Sequence, residues 1–285
     1  NNQKREEAFA LELLAFLYRG QNLDTAMILY NQSIKILREN GLKSQLLKLS
    51  IILTSMREVI RPVSLWQEYL NQGLQVAGEL NSRIDSFYLL WNSAYAATHL
   101  GDYPASLGTF LKLLEMSKEI GRENNIPTIL YSIGFLYTEQ QDYLKSLRYL
   151  SQARLICEKN KLTEDLVLVY NLLAPTFIGM NDMDSARLYS EKAYDLSFRF
   201  YNGAIPAHVL NDIGDNYYET GRHKFALQLL HKSLPALLRD GEPYNTCIAT
   251  FALAKVFSKT GPEDSSIYYA TKTMTIAQEA GLLMF

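Results

Sequence analysis

Asp24-Thr25-Ala26, Pro104-Ala105-Ser106, Leu144-Lys145-Ser146, Asp184-Ser185-Ala186, Lys224-Phe225-Ala226 and Ser265-Ser266 all end on Ala or Ser. Those last residues stand at 26, 106, 146, 186, 226 and 266, so every gap is a multiple of 40. The missing member of the series, position 66, is Trp66. Seven units of 40 fill 280 of the 285 residues without insertion or deletion, and the chain reads as an internal repeat.

Other columns keep the same period. Twelve positions earlier stand Leu14, Thr54, Ala94, Gly134, Ala174, Gly214 and Ala254, small in five of seven. Three residues further on are Leu17, Arg57, Ala97, Tyr137, Phe177, Tyr217 and Phe257, aromatic in the last four. Gly101, Gly221, Gly261 and Asn181 share a turn column and tolerate left-handed backbone. Asp102, Asp142 and Asp182 sit one residue after that column as candidate N-caps. Apolar residues recur at three- and four-residue steps, as in Leu166, Val169, Tyr170, Leu173 and Phe177. Each unit therefore reads as helix, short turn, helix, and nothing alternates with the period of a strand. Two helices at about 8–10 Å need a missing side chain where they cross, and the small columns supply it.

On these residues the chain resembles the tetratricopeptide repeat (TPR) family. The matching positions are Gly134, Tyr137, Tyr143, Ser146 and Ala153 in the fourth unit, and Gly214, Tyr217, Gly221, Ala226 and Leu230 in the sixth. Length alone equally suits HEAT-like repeats, but the small–aromatic–Gly–small order favours TPR. Each unit is longer than the common 34-residue form and lacks its closing proline. The resemblance implies an all-α, right-handed α-solenoid of about seven helix-turn-helix units. It makes 1–285 a single domain, with units at about 1–40, 41–80, 81–120, 121–160, 161–200, 201–240 and 241–285. The second unit is degenerate at Thr54, Arg57 and Trp66, which reads either as drift in packing or as a bend or docking point.

Composition narrows the function. Lys plus Arg is 28 and Asp plus Glu is 30, so the chain lacks the basic excess of a phosphate-backbone binder, and nucleic acid is not expected as a direct partner. Cys157 and Cys247 lie 90 positions apart, which excludes a disulfide framework or a Cys-based zinc site, and both are expected to stay unpaired. The longest uncharged stretches, 86–101 and 166–181, are 16 residues each and fall short of the roughly 20 that span a membrane. The chain opens without Met and ends Leu282-Leu283-Met284-Phe285, which reads as a piece of a longer protein, cytoplasmic or periplasmic, its targeting segments outside this stretch. His99, His208, His223 and His231 form no H-x-x-x-H, and no phosphate-loop or nucleophile-elbow motif is present. No catalytic residue, metal ligand or cofactor is expected.

What remains is a surface. In TPR arrays the first helix of each unit lines the concave face. The resemblance thereby implies a groove containing Tyr88, Trp91, Tyr95, Tyr131, Phe135, Asn171, Asn211, Asp215, Tyr218 and Lys255. Rings suit apolar side chains, and an Asn amide offers donor and acceptor to an extended peptide backbone. Each has a plainer reading: the aromatic stripe as wall against a neighbouring helix, Asn171 and Asn211 as local caps, Asp215 and Lys255 as solvated face. The expected partner is an extended peptide or a protein segment, with self-association open. Two functions fit: the sensory or regulatory region of a bacterial histidine kinase or transcription regulator, or a passive scaffold. Pro175 falls inside a helix of about 163–179, where it removes an N–H and frees the Asn171 carbonyl. A groove-bound ligand or a water is expected to take up that carbonyl.

Overall fold

The computed structural model describes residues 2–56, 60, 63–241, 243–280 and 282. Among them are fourteen α-helices, one 3-10 turn and no strand. In chain order the helices are α1 (Asn2–Tyr18), α2 (Leu23–Glu39), α3 (Lys43–Ser55), α4 (Val63–Glu79), α5 (Arg83–His99), α6 (Tyr103–Glu119) and α7 (Ile126–Glu139). They continue as α8 (Tyr143–Asn160), α9 (Thr163–Gly179), α10 (Met183–Phe200), α11 (Ala207–Glu219), α12 (His223–Asp240), α13 (Pro243–Thr260) and α14 (Glu263–Ala280). The chain forms two compact units, residues 1–122 and 123–285. The first holds α1–α6 and the second α7–α14.

Backbone chemistry sets the helix ends. Asp102, Asp142 and Asp182 accept the backbone N–H groups of Ala105, Lys145 and Ser185, as N-caps should. Left-handed residues recur every 20 positions: Gly41, Asn81, Gly101, Gly121, Gln141, Lys161, Asn181, Gly221 and Gly241. Behind them the amides of Leu42, Asp102, Arg122, Asp142, Leu162, Asp182 and Arg222 each bond the carbonyl five residues back, closing Schellman ends. The column between helix pairs, at Gly41, Asn81, Gly121 and Gly241, was as readable as the one within pairs. Gly261 departs from expectation and is not left-handed. Pro262 follows it and biases it towards extended backbone.

The small column does what its size suggests. A Cβ added to Gly134 would lie 2.6 Å from Leu150 Cγ, and one on Gly214 would lie 3.0 Å from Leu230 Cγ. The second helix thus drives a leucine onto the bare backbone of the first. The degenerate second pair keeps this arrangement by other means. Ser106 and Ser266 donate to the carbonyls of Ala94 and Ala254, each twelve residues back. Trp66 donates its indole N–H to Thr54 O over the same twelve residues, at 2.8 Å, and is buried. This matches the packing reading of the second unit; Arg57 lies outside the described residues.

Cys157 and Cys247 are free and buried. Burial, with Asp165 and Glu158 adding to it, pushes the Cys157 thiol up to about 12, which removes its nucleophilic form at neutral pH. Among the described residues no helix is long and apolar enough to cross a membrane.

Two alanine substitutions with opposite signs test this packing. Gly134→Ala forces a methyl into Leu150 and should cost about 1–3 kcal/mol. Gly108→Ala lies inside α6 with nothing within 4 Å of the new Cβ, and should stabilise by about 0.5–1 kcal/mol. Urea denaturation of both variants reads the two signs.

Candidate functional site

The expected binding residues fall into two groups, one in each unit. In residues 1–122 they are on α5. Trp91 lies 5.6 Å from Phe87, 5.8 Å from Tyr95 and 6.3 Å from Phe110, ring centre to ring centre. Tyr95 meets Phe110 edge-on at 5.4 Å. Since Phe110 belongs to α6, Trp91 and Tyr95 are largely the wall of their own helix pair. Tyr88 is exposed, with the Arg122 guanidinium 6.0 Å from its ring centre.

In residues 123–285 the first helices of successive pairs pack side by side, α7 on α9, α9 on α11 and α11 on α13. Tyr131 and Phe135 are half-buried on α7. Asn171 is buried on α9. Asn216 of α11 donates its Nδ2 to both the backbone O of Asn171, at 2.9 Å, and its Oδ1, at 2.6 Å. The carbonyl freed by Pro175 is therefore taken by a neighbouring helix, not by the ligand or water expected from the sequence. α9 remains one helix through Pro175.

Asn211 is fully buried, and neither Oδ1 nor Nδ2 meets a partner. Beside it on α11, Asp212 is half-buried. Burial lifts its carboxyl to about 7, and the nearby Asp215 charge adds to the lift. Asp215 itself pairs with Lys255 Nζ at 2.7 Å, and Glu219 binds the same ammonium at 2.9 Å. The rings of Tyr218 and Phe251 stand 5.0 and 5.6 Å from that nitrogen. Burial works against the Lys255 charge, but Asp215 and Glu219 outweigh it and hold the pKa above the usual lysine value. Lys255, Asp215 and Tyr218 are thus brought together in one clamp between α11 and α13, rather than left as solvated face. Among the described residues no group of His, Cys, Asp and Glu is arranged to hold a metal.

Sequence reasoning missed Asp212 and Asn216. Asn216 carried a signal: its neighbours in the 40-residue column are Thr176 and Val256, so the larger amide stands out there, and Pro175 announces a carbonyl in need of a donor. Asp212 is an acid beside Asn211 in the first-helix row and carried no comparable mark.

Two predictions follow from this geometry. Asn216→Ala orphans the Asn171 carbonyl and should cost about 1–3 kcal/mol. In the Pro175→Ala background the restored N–H takes that carbonyl, so the same substitution should cost much less; a double-mutant cycle on unfolding free energies measures the coupling. For Asp212 the folded pKa is raised from about 3.8 in the unfolded chain, so stability falls as pH rises through the window up to about 7. Asp212→Asn should therefore leave the melting temperature nearly unchanged near about pH 4 and raise it near about pH 8. Thermal scans across that range check the sign.

Residues 125–197 match the family model of the tetratricopeptide repeat. No curated protein sequence matches the chain. Among solved structures it is similar to the apo form of RapI, with a TM-score of 0.76 and 18% identity over 96% of this chain and 99% of that one. Aspartyl phosphate phosphatase F from Bacillus subtilis gives a TM-score of 0.76 and 15% identity over 99% of this chain and 74% of that one. The Rap conjugation gene regulator of the plasmid pLS20, solved in complex with the Phr* peptide, gives 0.61 and 14% over 96% and 75%. At such identities the likeness speaks for the fold. The tetratricopeptide repeat match is confined to residues 125–197, and the chain as a whole shares the helical-repeat fold of these solved structures.

Proposed function

We propose that the row of first helices in residues 123–285 binds an extended peptide, and that the chain is a non-catalytic sensory or regulatory region of a bacterial signalling protein. The observation that carries this reading is Asn211, whose buried amide has no partner. An amide left unpaired costs about 1–3 kcal/mol, and a peptide backbone supplies the donor and acceptor it lacks. Asp212, next to it, would ionise on meeting a cationic group, so peptides with Lys, Arg or a free amino terminus are favoured. The likeness to a Rap regulator solved with a peptide supports the same class of ligand. A histidine kinase or transcription regulator as the attached output belongs to this reading. A passive scaffold is the alternative, but it gives no reason to keep Asn211 unpaired.

A random peptide library displayed on phage and selected on the immobilised chain tests the proposal. The expected result is a set of sequences enriched in basic residues. Asn211→Ala should weaken them by about 1–3 kcal/mol while leaving the melting temperature nearly unchanged, because no hydrogen bond within the chain is lost. Selection of nothing above background, or peptides indifferent to Asn211→Ala, would remove the assignment.

A further inference from the structure

One cation of the chain itself already occupies part of the surface assigned to the peptide. Lys255 of α13 reaches to α11, where its ammonium lies 2.7 Å from Asp215 and 2.9 Å from Glu219. The 40-residue register accounts for the reach. Lys255 stands one unit on from Asp215, and Phe251 one unit on from Asn211. Asp215 and Lys255 are the charged members of a column otherwise filled by Ala15, Ser55, Tyr95, Phe135 and Pro175. Packing α11 beside α13 therefore sets opposite charges of one column against each other, with the Tyr218 and Phe251 rings 5.0 and 5.6 Å from the nitrogen.

The acids of α11 are spaced for more than one basic group. Asp212 and Asp215 are three residues apart, and side chains so spaced share a helix face with about 5–6 Å between their Cβ atoms. In keeping with that distance, the Asp215 charge acts on the Asp212 carboxyl. Side chains two residues apart in an extended peptide point the same way and stand about 6.6 Å apart, twice the strand rise. Two basic residues separated by one other thus match the two carboxylates. The carboxylates are not equivalent, because Asp212 has no ion pair among the described residues and Asp215 has Lys255. The pair is within reach of a ligand, since the side chains of Asp215 and Glu219 keep 35% and 40% of their exposure.

We propose that Lys255 sets the specificity of this site by standing in for a second basic side chain of the ligand, so that the chain takes one basic residue, at Asp212, and gains little from another two positions away. The inference rests on the peptide-binding reading above and adds to it which basic residues count. A ligand Arg arriving at Asp215 must displace an ammonium that two carboxylates already hold and two rings flank, so one cation is exchanged for another. With Lys255 gone, the same Arg meets two carboxylates with no cation between them. Lysine is a flexible point charge, and its pairs with partly exposed carboxylates add little to stability. Removing it therefore alters selectivity more than it alters the fold.

Two peptides, acetyl-Leu-Arg-Ala-Ala-amide and acetyl-Leu-Arg-Ala-Arg-amide, read the proposal by isothermal titration calorimetry on the 285-residue chain. Ionic strength is held fixed, because screening alters such pairs. In the wild-type chain the second Arg should tighten binding by less than about threefold, as for a weak exposed pair. In Lys255→Met it should tighten binding by about tenfold or more, as for a close charge pair newly made available. Asp215→Asn added to Lys255→Met should remove most of that gain, and Lys255→Arg should keep the wild-type ratio. A Lys255 that only ties α11 to α13 would shift the melting temperature of its variants and leave the ratio unchanged. Equal ratios in the wild type and Lys255→Met overturn the inference and leave the peptide reading standing. A tenfold gain already present in the wild type also overturns it, and that measurement needs no variant to fold. A wild-type chain that binds neither peptide overturns both, because each peptide carries the basic side chain and the backbone that the reading requires.

Discussion

Everything in this structure depends on how closely the two helices of a pair approach. At Gly134 and Gly214 the first helix has no side chain, and Leu150 and Leu230 of the second occupy the space. A methyl there collides with a branched carbon that has no free direction to move. Once that contact is made, the aromatic residues three positions on have a fixed wall to stack against. Tyr137 lies parallel to Tyr149 with ring centres 5.5 Å apart, and Phe177 lies parallel to Tyr189 at 5.4 Å. The repeat is thus a repeated solution to one steric problem, and its period is the length of chain needed to return to it.

Polar groups inside the pairs obey the same geometry with different atoms. A serine hydroxyl caps the extra lone pair of a carbonyl at Ala94 and Ala254, and an indole nitrogen does so at Thr54. In residues 123–285 the hydroxyls of Thr138, Ser146 and Thr176 lie within 2.8–3.0 Å of one another, joining α7, α8 and α9. Pro175 breaks the pattern by deleting a donor, and Asn216 restores it from the next pair. Buried polar groups are costly unless paired, which is why each interruption is met by a side chain rather than left open. Asn211 is an exception, and among the described residues Tyr30 Oη, Gln72 Nε2, Arg154 Nε and His223 Nδ1 are buried without a hydrogen-bond partner as well.

Much of this was legible in the sequence. The helix pairs, the small column, the Asp caps and the left-handed turns at Gly101, Asn181 and Gly221 follow from period and residue type, because they are local. What stayed hidden depends on distance across pairs. That Asn171 faces Asn216, and that Lys255 is held by both Asp215 and Glu219, requires the lateral offset of one helix against the next. Period alone does not give this offset. Gly261 was misread for a simpler reason: its neighbour Pro262 overrules the column it stands in. Trp66 looked like a lapse in the repeat and is the repeat carried out by a larger donor.

The Asn171–Asn216 bond has a bearing on how the chain comes apart. It joins residues 45 apart, among the longest sequence separations bridged by a hydrogen bond here, and most others close within a pair or to the next. Contacts so local can form rapidly and in any order, with each pair templating its neighbour. Opening is then graded along residues 123–285. Pairs tied through buried side-chain bonds protect their amides from exchange with solvent longest. Pro175 removes one rung of its helix, yet the clamp it recruits makes the α9–α11 contact a late point of opening rather than an early one.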